Sequence, residues 1–172
     1  RVHVFGEIAG VWIPRALLAS TSGDEEFGGA IALDGAQLLV GWSPYSSNGG
    51  AAEVFSASLG SWTSGTPLVP SGLEAGDSYG AAVALAGGTA VVGAPGRREA
   101  GAVWVWTGSG STWAIQARIE DAGTASGDAF GTAVALEDTT LVVGAPWDDT
   151  TSGRNSGAVY VYERVGATWE LR

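Results

Sequence analysis

The sequence predicts an all-β fold, a β-propeller of four-stranded antiparallel blades, with about three and a half blades in this chain. Three observations lead there. A seven-residue motif recurs after 52 and then 51 residues. The apolar segments are four to eight residues long, β-branched or aromatic, and closed by Gly, Pro, Asp or Ser. No window holds a helical period of ten residues.

The first element of each unit is the motif itself: Phe27-Gly28-Gly29-Ala30-Ile31-Ala32-Leu33, Tyr79-Gly80-Ala81-Ala82-Val83-Ala84-Leu85 and Phe130-Gly131-Thr132-Ala133-Val134-Ala135-Leu136. After a four-residue turn comes a second apolar run ending in glycine: Leu38 to Gly41, Ala90 to Gly93, Leu141 to Gly144. A third element is rich in aromatics: Ala52 to Phe55, Ala102 to Trp106, Ala158 to Tyr162. A fourth holds a tryptophan seven residues after the last aromatic of the third, in the pairs Phe5/Trp12, Phe55/Trp62, Trp106/Trp113 and Tyr162/Trp169. The third and fourth elements occur four times and the first and second three times, so the chain enters in mid-repeat. The units are 1–26 (a half blade), 27–78, 79–129 and 130–172, forming one partial propeller.

Four short strands per unit of about 50 residues is the arithmetic of a propeller blade, since a sandwich does not repeat itself at this period. The size gradient agrees. Ala81-Ala82-Val83-Ala84 is small, as the crowded strand next to a propeller axis must be, whereas the aromatics of the third strand fill a widening wedge. Trp104 and Trp106 alternate along one strand, face the same side, and are expected to pack against a neighbouring blade.

Composition narrows the functional classes. The chain has 172 residues, 45% of them apolar and 15% charged, which is enough for a sizeable core. Eight arginines and no lysine face 18 acidic residues, a net charge of −10. That balance excludes nucleic acid and anionic membranes as partners. No apolar run is long enough to span a bilayer, so no membrane insertion is expected. The absence of cysteine removes disulfides, thiolate metal sites and a Cys nucleophile. A chain that starts at Arg1 and holds no methionine is expected to be a processed or excised form.

These residues resemble the FG-GAP repeats of the integrin α-chain propeller and its bacterial relatives. The name is spelled by Phe130-Gly131 with Gly144-Ala145-Pro146 and by Tyr79-Gly80 with Gly93-Ala94-Pro95, whereas the unit from Phe27 departs, reading Gly41-Trp42-Ser43-Pro44. The resemblance covers Val2 to Trp169. It implies a secreted or cell-surface module of recognition or adhesion, with no catalysis. Many repeats of this family carry an Asp-x-Asp-x-Asp-Gly calcium loop between the first and second strands. Here those connections are residues 34–37, 86–89 and 137–140, too short and too poor in carboxylates to supply six to eight oxygens, so no metal and no cofactor is expected.

Acidic residues precede each first strand: Asp24, Glu25 and Glu26, then Asp77, then Asp128. They are readable as a ring of carboxylates at one mouth of a channel or, the reading that repetition favours, as turn residues whose side chains accept backbone N–H bonds. Trp12, Trp62, Trp113 and Trp169 are readable as sugar platforms, but large aromatics at repeated positions are expected between blades.

The connections between second and third strands are where the repeats stop agreeing, with 14, 13 and 18 residues from the repeat glycine to the last aromatic. Variable loops on one face of a repeat array are where binding is expected. The candidate ligand-binding residues are Trp42, Tyr45 and Asn48 in the first loop, Arg97 in the second, and Trp147, Asp148, Asp149, Arg154 and Asn155 in the third. An aromatic beside carboxylates and amides suits a sugar, whose C–H face stacks while its hydroxyls form hydrogen bonds. The expected partner is therefore a glycan or an extracellular protein. A rival class is a structural protein-protein interaction module using the acidic surface. Another is a glycoside hydrolase working with two carboxylates, for which Asp148 and Asp149 are poorly disposed because neighbours in an extended chain point apart. The only histidine, His3, lies in a strand. Three and a half blades fall short of a closed ring, so a homo-oligomer is expected, with a dimer favoured because two copies hold the strands of seven blades.

Overall fold

The computed structural model describes residues 1–21, 26–43, 49–63, 65–120, 123 and 125–172. Its strands form four antiparallel sheets, one in each unit marked by the repeats. The first pairs β1 (Val2–Ile8) with β2 (Val11–Leu18). The second runs β3 (Ala30–Asp34), β4 (Gln37–Trp42), β5 (Ala51–Ser58) and β6 (Ser61–Trp62), and β7 (Thr66–Pro67) also pairs with β5. The third is β8 (Ala82–Ala86), β9 (Thr89–Ala94), β10 (Ala102–Ser109) and β11 (Thr112–Ile119). The fourth is β12 (Ala133–Glu137), β13 (Thr140–Ala145), β14 (Ala158–Val165) and β15 (Thr168–Leu171). Each is an up-and-down meander in chain order, which is the propeller-blade topology the repeats predict.

Both faces of the third sheet are buried, and alternation along its strands assigns residues to its two neighbours. On β10, Ala102, Trp104 and Trp106 join Leu39 and Val54 of the blade before, while Val103 and Val105 join Leu141 and Val143 of the blade after. Trp104 and Trp106 thus pack between blades on one side, as their spacing predicts. Trp62, Trp113 and Trp169 are half-buried at these interfaces. Trp12 is the exception, 67% exposed on the first sheet.

The aromatic of each aromatic-glycine pair is anchored on the third strand of its own blade. Phe27 meets Phe55 edge-on at 5.9 Å, Tyr79 meets Trp104 at 5.4 Å, and Phe130 meets Tyr160 at 5.4 Å. Trp106 Nε1 donates a hydrogen bond of 3.0 Å to the Tyr79 hydroxyl. Burial raises the pKa of that phenol far above its usual value, with the Trp106 hydrogen bond acting in the opposite sense.

Polar stitches tie successive blades. The Thr21 N–H, at 3.2 Å, and its hydroxyl donate to the buried Glu53 carboxylate on β5, joining the half blade to the next sheet. Asp34 accepts the Gly87 N–H at 2.8 Å between neighbouring first hairpins. Trp169 Nε1 donates to Gln116 Oε1 at 3.2 Å between the last two blades.

The half blade is an outer pair. β1 and β2 share the register of β10 and β11, with the bulge at Val4/Phe5 matching that at Val105/Trp106, and Pro14 opposite Phe5 where Ile115 faces Trp106. In the sheet that follows, Ile31 and Leu33 of β3 are exposed on the side where an inner pair would lie.

Candidate functional site

The loops between second and third strands gather at one end of the blades, together with the acidic turns that precede each first strand. The Gly96 N–H donates to the Asp77 carbonyl at 3.0 Å and the Trp147 N–H to that of Asp128 at 3.3 Å, which fixes the two sets of loops side by side.

The acidic residues here are structural. Asp77 and Asp128 are buried, and each carboxylate accepts the N–H three residues upstream, from Glu74 at 2.8 Å and from Ala125. Asp24 and Glu25 lie outside the described residues. Asp77 also pairs with Arg97 Nη1 at 2.7 Å, and both side chains are buried. Arg97, expected in a binding loop, is thus a clamp across the base of the tight β9–β10 connection, whose short 3-10 turn, Arg97–Glu99, closes with the Gly101 N–H on the Arg97 carbonyl. The exposed arginine of that loop is Arg98.

Trp42 is a core residue. It is 2% exposed and packs on Phe27 at 5.2 Å, in the place where the next two repeats have Ala94 and Ala145. This tryptophan faces the half blade, in one cluster with Leu18, Leu38 and Phe55. It offers no platform to a ligand. Tyr45 and Asn48 lie outside the described residues.

The β13–β14 loop is different. Trp147 stands 56% exposed at its start. Asp148, beside it, turns inward at 4% exposure: its carboxylate accepts the Tyr160 hydroxyl and its carbonyl accepts the Gly157 N–H at 3.0 Å. Asp148 therefore braces the loop. Asp149 points outward, accepts the Asn155 N–H at 2.7 Å and lies 3.8 Å from Arg154 Nε, whose side chain is almost fully exposed. The excursion between them closes on itself through paired backbone bonds between Thr150 and Gly153, and Thr150 and Ser156 join their hydroxyls at 2.6 Å. Of the nine candidates, the structure brings together Trp147, Asp149, Arg154 and Asn155 on one exposed, internally bonded loop. Such a surface can stack against an apolar face and exchange hydrogen bonds around it.

Among the described residues, no group of three or more His, Asp or Glu side chains is placed to hold a metal ion. The buried Glu53 is the polar residue that loop-based reasoning passes over. Its signal was a single charge inside the apolar run Ala52 to Phe55.

The FG-GAP repeat family model matches residues 62–106 and 113–162, more than half of the chain. No curated protein matches it. Among solved structures, a Trypanosoma rangeli sialidase in complex with the inhibitor DANA is similar with a TM-score of 0.50 and 14% identity. The match covers 95% of this chain and 31% of that one, so the chain spans about a third of the enzyme's length. At that identity the likeness is one of fold.

Proposed function

Because the chain belongs to the FG-GAP repeat family, we propose that it is a non-enzymatic propeller module of extracellular recognition or adhesion, taking a glycan or protein ligand on the β13–β14 loop. The observation behind this reading is the exposure of Trp147 on a loop whose other members are tied down. An unsupported loop would lose ordering entropy on binding, whereas the bonds at Asp148, Asp149 and Thr150 fix much of this one beforehand. Trp147 offers a stacking face, and Asp149, Arg154 and Asn155 offer charge and hydrogen bonds at its side.

The fold likeness to a sialidase suggests a second reading, glycoside hydrolysis. That reaction needs two carboxylates facing a bound sugar. Of the adjacent pair in this loop, Asp148 is buried and bonded to Tyr160, leaving Asp149 without its neighbour as a partner. The family is typically non-enzymatic, which favours recognition.

A glycan array probed with the chain and with Trp147→Ala tests the proposal, alongside turnover assays on aryl sialosides. Binding to a defined glycan set that Trp147→Ala abolishes supports it. Binding that survives the substitution, or hydrolysis of the sialoside, overturns it.

A further inference from the structure

The exposed groups of the β13–β14 loop form one pre-oriented set. The backbone is tied on both sides of Trp147, by the Trp147 N–H on the Asp128 carbonyl at 3.3 Å and by Asp148, whose carboxylate takes the Tyr160 hydroxyl. The indole is therefore presented from a fixed stem. Asp149 is oriented too, since its Oδ1 accepts the Asn155 N–H at 2.7 Å. Its Oδ2 lies 3.8 Å from Arg154 Nε, close enough for an ion pair and too far for a hydrogen bond. Asn155 carries its exposed amide on a backbone at φ 51°, a left-handed conformation that asparagine tolerates.

Charge decides what such a set can take. The exposed carboxylate and guanidinium already face each other, so a cation has to displace Arg154 and an anion has to displace Asp149. An anion also meets the net charge of −10 and the buried carboxylates of Asp128 and Asp148 at the base of the loop. Hydroxyl groups face no such competition. Each can donate to Asp149 and accept from Arg154 or Asn155 while the ion pair persists. The number of groups decides the ligand's size: a protein interface carries about ten hydrogen bonds, whereas three polar side chains beside one indole match a single sugar ring.

We infer that the loop takes one uncharged pyranose residue, its C–H face stacked on Trp147 and a vicinal pair of its hydroxyls bonded to Asp149, Asn155 and Arg154. Two neighbouring hydroxyls can both donate to one oriented carboxylate, and each is then free to accept from the amide or the guanidinium. This assignment rests on the loop being the recognition surface proposed above, and goes beyond it in fixing the ligand's charge and in setting a protein ligand aside.

The full chain is titrated with methyl galactoside, methyl glucoside and methyl mannoside, with glucuronic acid and sialyllactose as anions and glucosamine as the cation; tryptophan fluorescence and calorimetry read the binding. The expected result is saturable binding of at least one methyl glycoside, little changed between low and high salt because no ion pair is exchanged. Asp149→Asn should weaken it about tenfold or more, since hydrogen bonds to a charged acceptor are lost. Asn155→Gly suits the left-handed backbone and keeps the N–H on Asp149, so it should weaken binding several-fold with the melt unchanged. A charged sugar that binds while no methyl glycoside does overturns the inference and leaves the loop as a recognition surface. Methyl glycoside binding that both variants leave intact also overturns it. Silence toward every sugar, together with a blank glycan array, overturns glycan recognition itself and the inference with it.

Discussion

The carbonyl oxygen of Gly131 rests against Gly93 of the preceding blade, where a β-carbon would stand well inside 3.0 Å of it. The repeat glycine therefore sets how closely two blades approach. Gly41 and Gly80 repeat the relationship one blade earlier.

Gly93→Ala forces those two backbones apart and should cost roughly 1–3 kcal/mol, the range of overpacked cores. Gly144→Ala, at the same repeat position with free space beside it, should change stability by no more than about 0.5 kcal/mol. Denaturant melts of both variants check the contrast. Equal destabilisation would show that the glycine serves its own strand and not the neighbouring carbonyl.

A second expectation concerns alkaline pH. Tyr79 has its pKa raised by burial, so the folded state keeps its proton when the unfolded state loses one near pH 10. The associated stability is fully present below about pH 10 and falls above it, by up to about 1.4 kcal/mol per pH unit for one proton. Tyr79→Phe should flatten this slope and, at neutral pH, cost about 1 kcal/mol for the lost bond from Trp106. The change keeps the ring and removes only the hydroxyl, and Phe27 and Phe130 hold the same place in sister blades. Melts of both proteins at pH 7 to 11 measure the two effects; parallel curves would mean another group governs the alkaline limb.

The blade architecture was legible because it is written in repeats: a strand that misfits one blade would misfit all of them. Trp104 and Trp106 could be assigned to an interface from alternation alone. The loops were less legible because a sequence shows which residue a loop contains and not which way it turns. Asp148 and Asp149 look alike in sequence, yet one braces Tyr160 and the other faces water. Trp42 was misleading for a related reason. It breaks the Gly-Ala-Pro pattern as a loop residue would, but its ring lies inside, packed with Leu18, Phe27 and Phe55. Arg97 was read as a loop charge because its partner, Asp77, lies 20 residues away.

That ion pair gives a third prediction. Arg97 and Asp77 are both buried and meet at 2.7 Å, so removing one leaves the other as an uncompensated charge in the interior. Arg97→Ala should cost about 3–5 kcal/mol, whereas replacing both by apolar residues of similar volume should cost much less. A double-mutant cycle in urea reads the coupling. Additive effects would show that the two side chains act independently, with Asp77 serving only its bond to the Glu74 N–H.

Three tryptophans separate scaffold from surface. Trp104 is 4% exposed between two blades, so Trp104→Ala should cost about 3–5 kcal/mol and fail to support binding only through unfolding. Trp113 is half-buried, with its indole N–H on the Gly110 carbonyl at 3.1 Å, and its alanine variant should fall between the extremes. Trp147 stands outside every buried cluster, so Trp147→Ala should leave the melt within about 0.5 kcal/mol of the parent. If a glycan stacks on its ring, the same change should weaken binding by on the order of 1 kcal/mol or more, about fivefold. Melts and a titration of each variant with one array-selected glycan give the ordering. An early melt for Trp147→Ala would make the indole part of the scaffold, and unchanged affinity would move the ligand to a different face of the propeller.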